Sequence, residues 1–471
     1  MSYDKLSPKS VLRFLTDLER SRLWVNSFIL FQDGNIEAQF WRKPYKKGTQ
    51  QLLFSLSKSF TSIAVGIAWD EGYLDLKDRV ISYFPDKLPD KPSANLMKMT
   101  IHHLLCMSAG HHDNIYRRVA REQDWIKAFL AQEVQHEPGT HYRYSTHSTY
   151  MLAAIVERAT GQSLVDFLMP RLFEPLGIPQ PVWEACPAGV TAGGMGLSIG
   201  TEGIASFGQM LLDKGMYGGR RIVSEAYMEL ATREQSDNRQ DTAHADSSQG
   251  YGYQFFLCRE GCYRGGGAFG QLCFVAPKRR IVIAATSSLT GSAELQSLLD
   301  LVYDHLIPSA DDGSDSCFDG KKQLQQKLAA MSETMHTHPI TGLRVQAIGH
   351  RSYRTTPNPQ RIRLVHLHME GSGFELQIDY EDNQNKRLQL DFDRPVRFEE
   401  RFVKDLSLHL QEVIGFAGLD EEGIVLTLYY IETPYVVTYR IRLSGSQLEL
   451  AYTMNVSLNN EAFEVVGELL H

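Results

Sequence analysis

Apolar residues in this chain repeat with two different periods, and the change between them divides the sequence into regions that favour different architectures. In the last hundred or so residues the period is two. Phe374, Leu376, Ile378 and Tyr380 alternate with Glu375, Gln377 and Asp379, and Leu388, Leu390 and Phe392 with Arg387, Gln389 and Asp391. Val437, Tyr439, Ile441 and Leu443 alternate with Thr438, Arg440 and Arg442, and Leu448, Leu450, Tyr452 and Met454 continue the pattern. Successive strand side chains point to opposite faces, so closely spaced strands with one buried and one solvated face are predicted: an antiparallel barrel or sandwich.

Upstream the pattern is mixed. Val11, Leu12, Leu15 and Leu18 share one face of a helix that starts at Ser7-Pro8. Phe28 to Trp41 reads as two strands joined at Asp33-Gly34, a hairpin cue. Helical patterns follow at Phe54–Trp69, Trp125–Gln132, Tyr150–Thr160 and Thr201–Leu212, then strands at Tyr251–Leu257, Leu272–Ala276 and Ile281–Thr286, and a helix at Ala293–Leu306. Strands at both ends around a helical middle predict an α+β domain whose one antiparallel sheet is built from the two ends. Pro308 to Ser316 (PSADDGSDS) is polar and aperiodic. The expected organisation is a first domain over 1–307, a linker over 308–320 and a β domain over 321–471 that opens with a helix from Lys321 to Met335.

With 56 acidic and 48 basic side chains the net charge is −8, which disfavours a general affinity for nucleic acid. No run approaches the ~18 apolar residues of a membrane span, and Met1–Ser10 lacks the features of a secretion signal, so a cytoplasmic location and no membrane partner are expected. Six scattered cysteines (Cys106, Cys186, Cys258, Cys262, Cys273, Cys317) read as free thiols, with Cys258 and Cys262 flanking a hairpin tip. The histidine groups His102-His103, His111-His112-Asp113, His336/His338 and His366/His368 were weighed as metal ligands. Adjacent histidines on a helix diverge, His-Glu-x-x-His is absent, and no third ligand is evident for His366 and His368, so no metal is expected. Ala192-Gly193-Gly194-Met195-Gly196 does not fit a nucleotide-binding Gly-x-Gly-x-x-Gly loop, and no cofactor is expected.

Chemistry concentrates in three short stretches. Ser55-Leu56-Ser57-Lys58 stands where a strand-like approach becomes a helix, so the Ser55 hydroxyl and Lys58 ammonium, three residues apart, share a face. A serine hydroxyl needs such a neighbour to become nucleophilic. Ser2-Tyr3-Asp4-Lys5 has the same spacing but lies at the terminus. Pro138 to Thr146 (PGTHYRYST) is a turn entering an apolar helix, from which Tyr144 could face Ser55. An adjacent lysine cation would lower its pKa from near 10 and make it a base. Tyr263 to Gln271 (YRGGGAFGQ) is glycine-rich, and its backbone N–H groups could hold an oxyanion.

These elements, in this order, resemble the serine β-lactamase and penicillin-binding-protein superfamily, closest to its class C β-lactamase-like and esterase-like branch. FSLSKSFTSIAVGIAWDEGYLDLKD, MTIHHLLCMSAG, PGTHYRYST, TAGGMGLSIGTEGIASFGQMLLDKG and GGGAFGQLCFVAP carry the resemblance over about residues 8–307. It implies a β-lactamase/transpeptidase-like antiparallel sheet flanked by helices with an all-α subdomain, and an acyl-enzyme on Ser55 with Lys58 as its partner. Tyr144 would then be the base in acylation and the acid towards the leaving group. The oxyanion hole would be the Ser55 N–H with that of Gly266, or else Gly267. The C-terminal strands look similar to the lipocalin-like domains appended to some relatives.

Two departures shape the expected substrate. Thr146 replaces the asparagine of Tyr-x-Asn, and the third motif has Arg264 as its nearby cation in place of Lys-Thr-Gly. Thr146 and Arg264 thus stand at substrate-binding positions altered against efficient β-lactam hydrolysis. A small ester, amide or peptide-like substrate is expected. The competing expectation is a catalytically weak, penicillin-binding-like covalent binder or scaffold.

Overall fold

The computed structural model describes residues 5–307, 318–335, 348–459 and 462–470. They form two compact units: Met1–Glu333 with Val403–Ser407, and Thr334–Phe402 with Leu408–His471.

The first unit is organised by a six-stranded antiparallel sheet. Val25–Gln32 forms a hairpin with Asn35–Trp41 and pairs on its other side with Ile281–Ser287, followed outward by Gln271–Ala276, Tyr263–Gly267 and Phe256–Leu257. The register runs from Val25 opposite Ser287 to Gln32 opposite Ile281, so the two ends of the domain zip together at the sheet centre.

Alternation along these strands feeds two cores. Phe28, Leu30, Leu272, Phe274, Ile281 and Ile283 face one side, where they meet Phe14, Leu15 and Leu18 of the helix Pro8–Arg20 and Leu298, Leu299 and Val302 of the helix Ser292–His305. Ile29, Cys273, Val275, Val282 and Ala284 face the other side, against the helices Ser57–Asp70, Thr146–Thr160 and Thr201–Leu212 and the shorter helices of the subdomain. Gln51–Leu52, which precedes the helix Ser57–Asp70 in the chain, forms a small three-stranded sheet with Leu197–Ile199 and Val182–Trp183.

Two expectations are corrected here. Tyr251–Leu257 is strand only at Phe256–Leu257. Before it the chain doubles back: Gly252 N–H donates to Phe255 O, and Gln254 has φ +66 so that its amide can reach the Leu104 and Leu105 carbonyls. The helix after the linker runs Phe318–Glu333 and belongs to the first unit. Leu324 and Met331 enter the core beneath the sheet, and Lys327 Nζ donates to Glu19 Oε2 at 2.5 Å. Its few apolar residues fit a gap that the first helix and the hairpin leave open, which a linear pattern does not reveal. Of the expected linker, 308–317 lies outside the described residues.

The second unit is a ten-stranded antiparallel sheet that curls into a nearly closed barrel. Its edge strands Asn385–Asp391 and Val396–Val403 approach at Lys386 Nζ and Glu400 Oε1, 2.5 Å apart. Phe374, Leu376, Ile378, Leu388, Leu390, Ile441, Leu448 and Leu450 are buried inside, as their alternation requires. No helix among the described residues is long and apolar enough to cross a membrane. Cys106, Cys186, Cys258, Cys262 and Cys273 are free and buried, and Cys317 lies outside the described residues.

All five tryptophans (Trp24, Trp41, Trp69, Trp125, Trp183) lie in the first unit, so their fluorescence reports on that unit alone. Met331 is fully buried, and Met331→Ala should destabilise the tryptophan-monitored urea transition by about 2–5 kcal/mol. An unchanged midpoint would detach this helix from the first unit.

Candidate active site

Ser55 lies in the turn Phe54–Leu56 between the short strand Gln51–Leu52 and the helix Ser57–Asp70. It is half-buried within a run, Gln51 to Ala68, whose other residues are all buried, so it is the residue of that run most open to solvent. The turn is tightly fixed. Ser57 Oγ donates to Phe54 O at 2.6 Å and accepts from Leu197 N–H at 3.2 Å. Phe54 adopts φ +48, a left-handed conformation that costs a non-glycine residue roughly 1–3 kcal/mol. Its ring packs edge-on against Phe269 at 5.2 Å, which helps hold it there.

Lys58, one turn on, is 1% exposed. Its Nζ donates to Ser55 Oγ at 3.0 Å, Thr146 Oγ1 at 3.3 Å and Gly194 O at 2.7 Å. Burial disfavours the ammonium and drops its pKa to about 7, against a weaker opposing pull from Asp405. The free amine is therefore accessible at neutral pH. Gly194 offers no side chain for the sequence to flag, yet its carbonyl is a direct partner of Lys58. A Cβ on Gly194 would stand 2.6 Å from Thr146 O, and one on Gly193 2.6 Å from Ala153 Cβ, so this approach needs both glycines.

Tyr144 is brought to the same point. Its ring lies 5.0 Å from Lys58 Nζ, Phe256 stacks on it at 5.9 Å, and the Ser55 side chain is near enough to its hydroxyl to favour the phenolate. The expected electrostatics are reversed, however. Burial raises the phenol to about 12, outweighing the lowering effects of the Ser55 hydrogen bond and Arg264. The amine expected to lower it is itself about half deprotonated at neutral pH, so Tyr144 is protonated there. Thr146 opens the helix Thr146–Thr160 and spends its hydroxyl on Lys58. His147, fully buried against Trp125 and Tyr150, is held down to about 3 by burial and by Lys58, so it stays neutral.

The third motif lies on the strand Tyr263–Gly267 beside the nucleophile turn. A Cβ on Gly265 would meet Ser59 Oγ at 2.4 Å and Leu56 Cδ1 at 2.6 Å, and one on Gly267 would meet Leu53 O at 2.1 Å. Gly266 shares the opposite face with Arg264, whose Nη1 a Cβ there would meet at 2.4 Å. Arg264 was expected to meet substrate, but it is buried in structure. It donates to Asp246 O at 3.2 Å and Ser247 Oγ at 2.7 Å and lies over Phe256 at 4.4 Å. Its charge reaches the site only by lowering the Tyr144 pKa.

The segment Val403–Ser407 brings residues that no local motif announces. Asp405 Oδ2 accepts from Gly196 N–H at 3.1 Å. Leu406 N–H and Ser407 Oγ donate to Glu184 Oε2 and Oε1 at 3.1 and 3.2 Å, and Glu184 N–H donates to Gly196 O. The segment thus fixes the turn that presents Gly194 O to Lys58. Burial, reinforced by Glu184, raises Asp405 to about 7 against the Gly196 hydrogen bond and Lys58. Asp405 and Lys58 each favour the charged form of the other against burial.

The histidine groups resolve separately. His102 Nδ1 hydrogen-bonds Tyr253 OH at 2.7 Å, and His103 caps the helix Ile101–Leu105 with Thr100. His366 lies between Ser352 Oγ at 2.8 Å and Asp379 Oδ2 at 3.2 Å. His336 and His338 lie outside the described residues.

A family model described as Beta-lactamase matches residues 26–306, more than half of the chain. The 6-aminohexanoate-dimer hydrolase of Paenarthrobacter ureafaciens is 26% identical over 232 residues, 46% of this chain and 59% of that protein. The match thus spans less than two thirds of that relative's length. The solved structure of EstCE1, a hydrolase with promiscuous acyltransferase activity, is similar at a TM-score of 0.51 and 18% identity, over 63% of this chain and 99% of that one. The octameric penicillin-binding protein homologue from Pyrococcus abyssi is similar at a TM-score of 0.51 and 15% identity, over 97% and 99%. These two likenesses speak to the fold. The chain belongs to the Beta-lactamase family.

Proposed function

We propose that this protein is a serine hydrolase that works through an acyl-enzyme on an ester, amide or peptide-like substrate. The observation that carries the reading is the 3.0 Å contact between the reachable Ser55 Oγ and the buried Lys58 Nζ. An amine whose pKa has fallen to about 7 is matched to proton transfer at neutral pH. Lys58 takes the Ser55 proton as Oγ bonds to the substrate carbonyl carbon. The bond to the leaving alcohol or amine then breaks, and the proton returns to that group through the Tyr144 hydroxyl. Tyr144, protonated at neutral pH, suits the acid role better than the base role its sequence context suggested. Water repeats the sequence on the acyl-enzyme and releases the acid. The Ser55 N–H and a donor from Tyr263–Gly267 hold the oxyanion. Gly267 is preferred over Gly266, because its face abuts the nucleophile turn.

The same arrangement disfavours β-lactam hydrolysis, which is expected to be weak or absent. Thr146 offers a hydroxyl already engaged by Lys58 instead of a carboxamide, and the Arg264 guanidinium is tied to Asp246 and Ser247. A hydrolase reading accords with the name of the 6-aminohexanoate-dimer hydrolase to which the chain is similar.

Ser55→Ala should abolish labelling by a fluorophosphonate probe and lower p-nitrophenyl ester hydrolysis by about 10³-fold or more. Labelling that survives the substitution would remove Ser55 as nucleophile, and a cephalosporin turned over as fast as the best ester would contradict the substrate reading. Because the base must be neutral, kcat/KM should rise with pH through about 7 and be lost below it. Asp405→Asn removes the charge that favours the ammonium, so this limb should move to lower pH. A limb that stays in place would exclude Asp405 from the electrostatics of the site. In Gly267→Ala the added methyl meets Leu53 O, and kcat should fall about 10²–10³-fold if an oxyanion donor is displaced. A wild-type rate would move that donor elsewhere.

A further inference from the structure

We propose that His112, His136 and His141 form a binding site for one divalent cation of the zinc class, separate from the groups that act on Ser55. The three rings come from two stretches that the sequence keeps apart and the fold laces together. His136 N–H donates to Gly110 O at 2.9 Å, Gly139 N–H to Ser108 O at 2.8 Å and Arg143 N–H to Met107 O at 2.8 Å, while His112 N–H donates to the Gln135 side chain at 3.1 Å. Gly110 makes this crossing possible: it has φ +96, and a Cβ there would lie 2.4 Å from His136 O. The histidines therefore project from a braced platform rather than from a free loop.

The donor geometry fits a small tetrahedral ion. One nitrogen from each ring lies within 4.8 Å of the other two, and His112 Nδ1 and His136 Nε2 are already 3.0 Å apart. Zinc–imidazole bonds of about 2.0–2.1 Å in a tetrahedral arrangement separate donor atoms by about 3.3–3.4 Å. The ring centroids stand 5.2, 5.7 and 4.2 Å apart, against about 5 Å for three imidazoles on one such ion. His141 is stacked on His112 and His136 at 16° and 27° between ring planes, so ligation requires the rings to rotate. Among the described residues none of the three histidines pairs with a carboxylate. A shared cation gives three converging lone pairs a partner. Imidazole donors favour zinc, copper and nickel over magnesium and calcium. Three protein ligands leave a fourth position for water. The cation would cross-link residues 107–112 to 135–143, the stretch that leads into Tyr144.

The test uses the full-length protein without a polyhistidine tag, stripped with chelator and titrated with Zn²⁺ by calorimetry and with Co²⁺ by visible absorption. One equivalent should bind, with the intense absorption of tetrahedral Co²⁺, and Zn²⁺ should raise the thermal midpoint. Each of His112→Gln, His136→Gln and His141→Gln should weaken binding, and the triple variant should lose both the binding and the thermal shift. A His350→Gln/His366→Gln control, which alters the stacked histidines of the second unit, should bind as wild type does. Tryptophan fluorescence of the stripped variants checks that they fold. A wild-type protein that takes up no cation, or a triple variant that binds as wild type does, overturns the site.

Discussion

The constraint on which the rest depends is a lysine amine held in the protein interior. Moving an ammonium out of water costs several kcal/mol unless it is paired or gives up its proton. Lys58 has three oxygen acceptors around it: the Ser55 hydroxyl from the turn leading into its own helix, a hydroxyl from the helix Thr146–Thr160 and a carbonyl from the Gly193-Gly194 turn. The three sources converge only if the helical subdomain and the strands around it are closed on one another. The amine therefore couples the packing of the subdomain to the reactivity of one hydroxyl, and its lowered pKa is the chemical expression of that packing.

Backbone proximity is the second condition. Gly194 and Gly267 each occupy a place where a methyl group would strike a carbonyl, Thr146 O in one case and Leu53 O in the other. One glycine lets a carbonyl reach the amine, and the other lets the third-motif strand lie against the nucleophile turn. The left-handed Phe54 and the Ser57 hydrogen bonds fix that turn from the remaining side. Reactivity at Ser55 thus rests on close main-chain approaches as much as on charged side chains.

Much of this was legible in the sequence where it is carried by short-range pattern. The alternation at Phe374–Tyr380 announces a half-buried strand, Asp33-Gly34 announces a hairpin, and the Ser55–Lys58 spacing places two groups on one helix face. Tyr144 and Thr146 were found through a motif whose meaning comes from resemblance. Contacts made by tertiary closure escaped. Gly194 carries no side-chain signal, and Asp405 lies between strands of a pattern that otherwise speaks only of a barrel. Arg264 was misread because a cation in a motif looks available until its guanidinium is seen engaged. The Tyr144 pKa was misjudged in sign because burial, invisible in sequence, outweighs a neighbouring amine that is half deprotonated itself. His112 was weighed only with His111 and Asp113, and His136 and His141 not at all, because the platform joins stretches more than twenty residues apart.

The most direct test of the central claim is to watch the Lys58 amine itself. In protein labelled with ¹³C at the lysine ε carbons, the resonance that disappears in Lys58→Met should titrate with a midpoint near 7. A midpoint for that resonance near the ordinary lysine value of about 10.4 would mean the amine stays charged at neutral pH, and Lys58 could not accept the Ser55 proton.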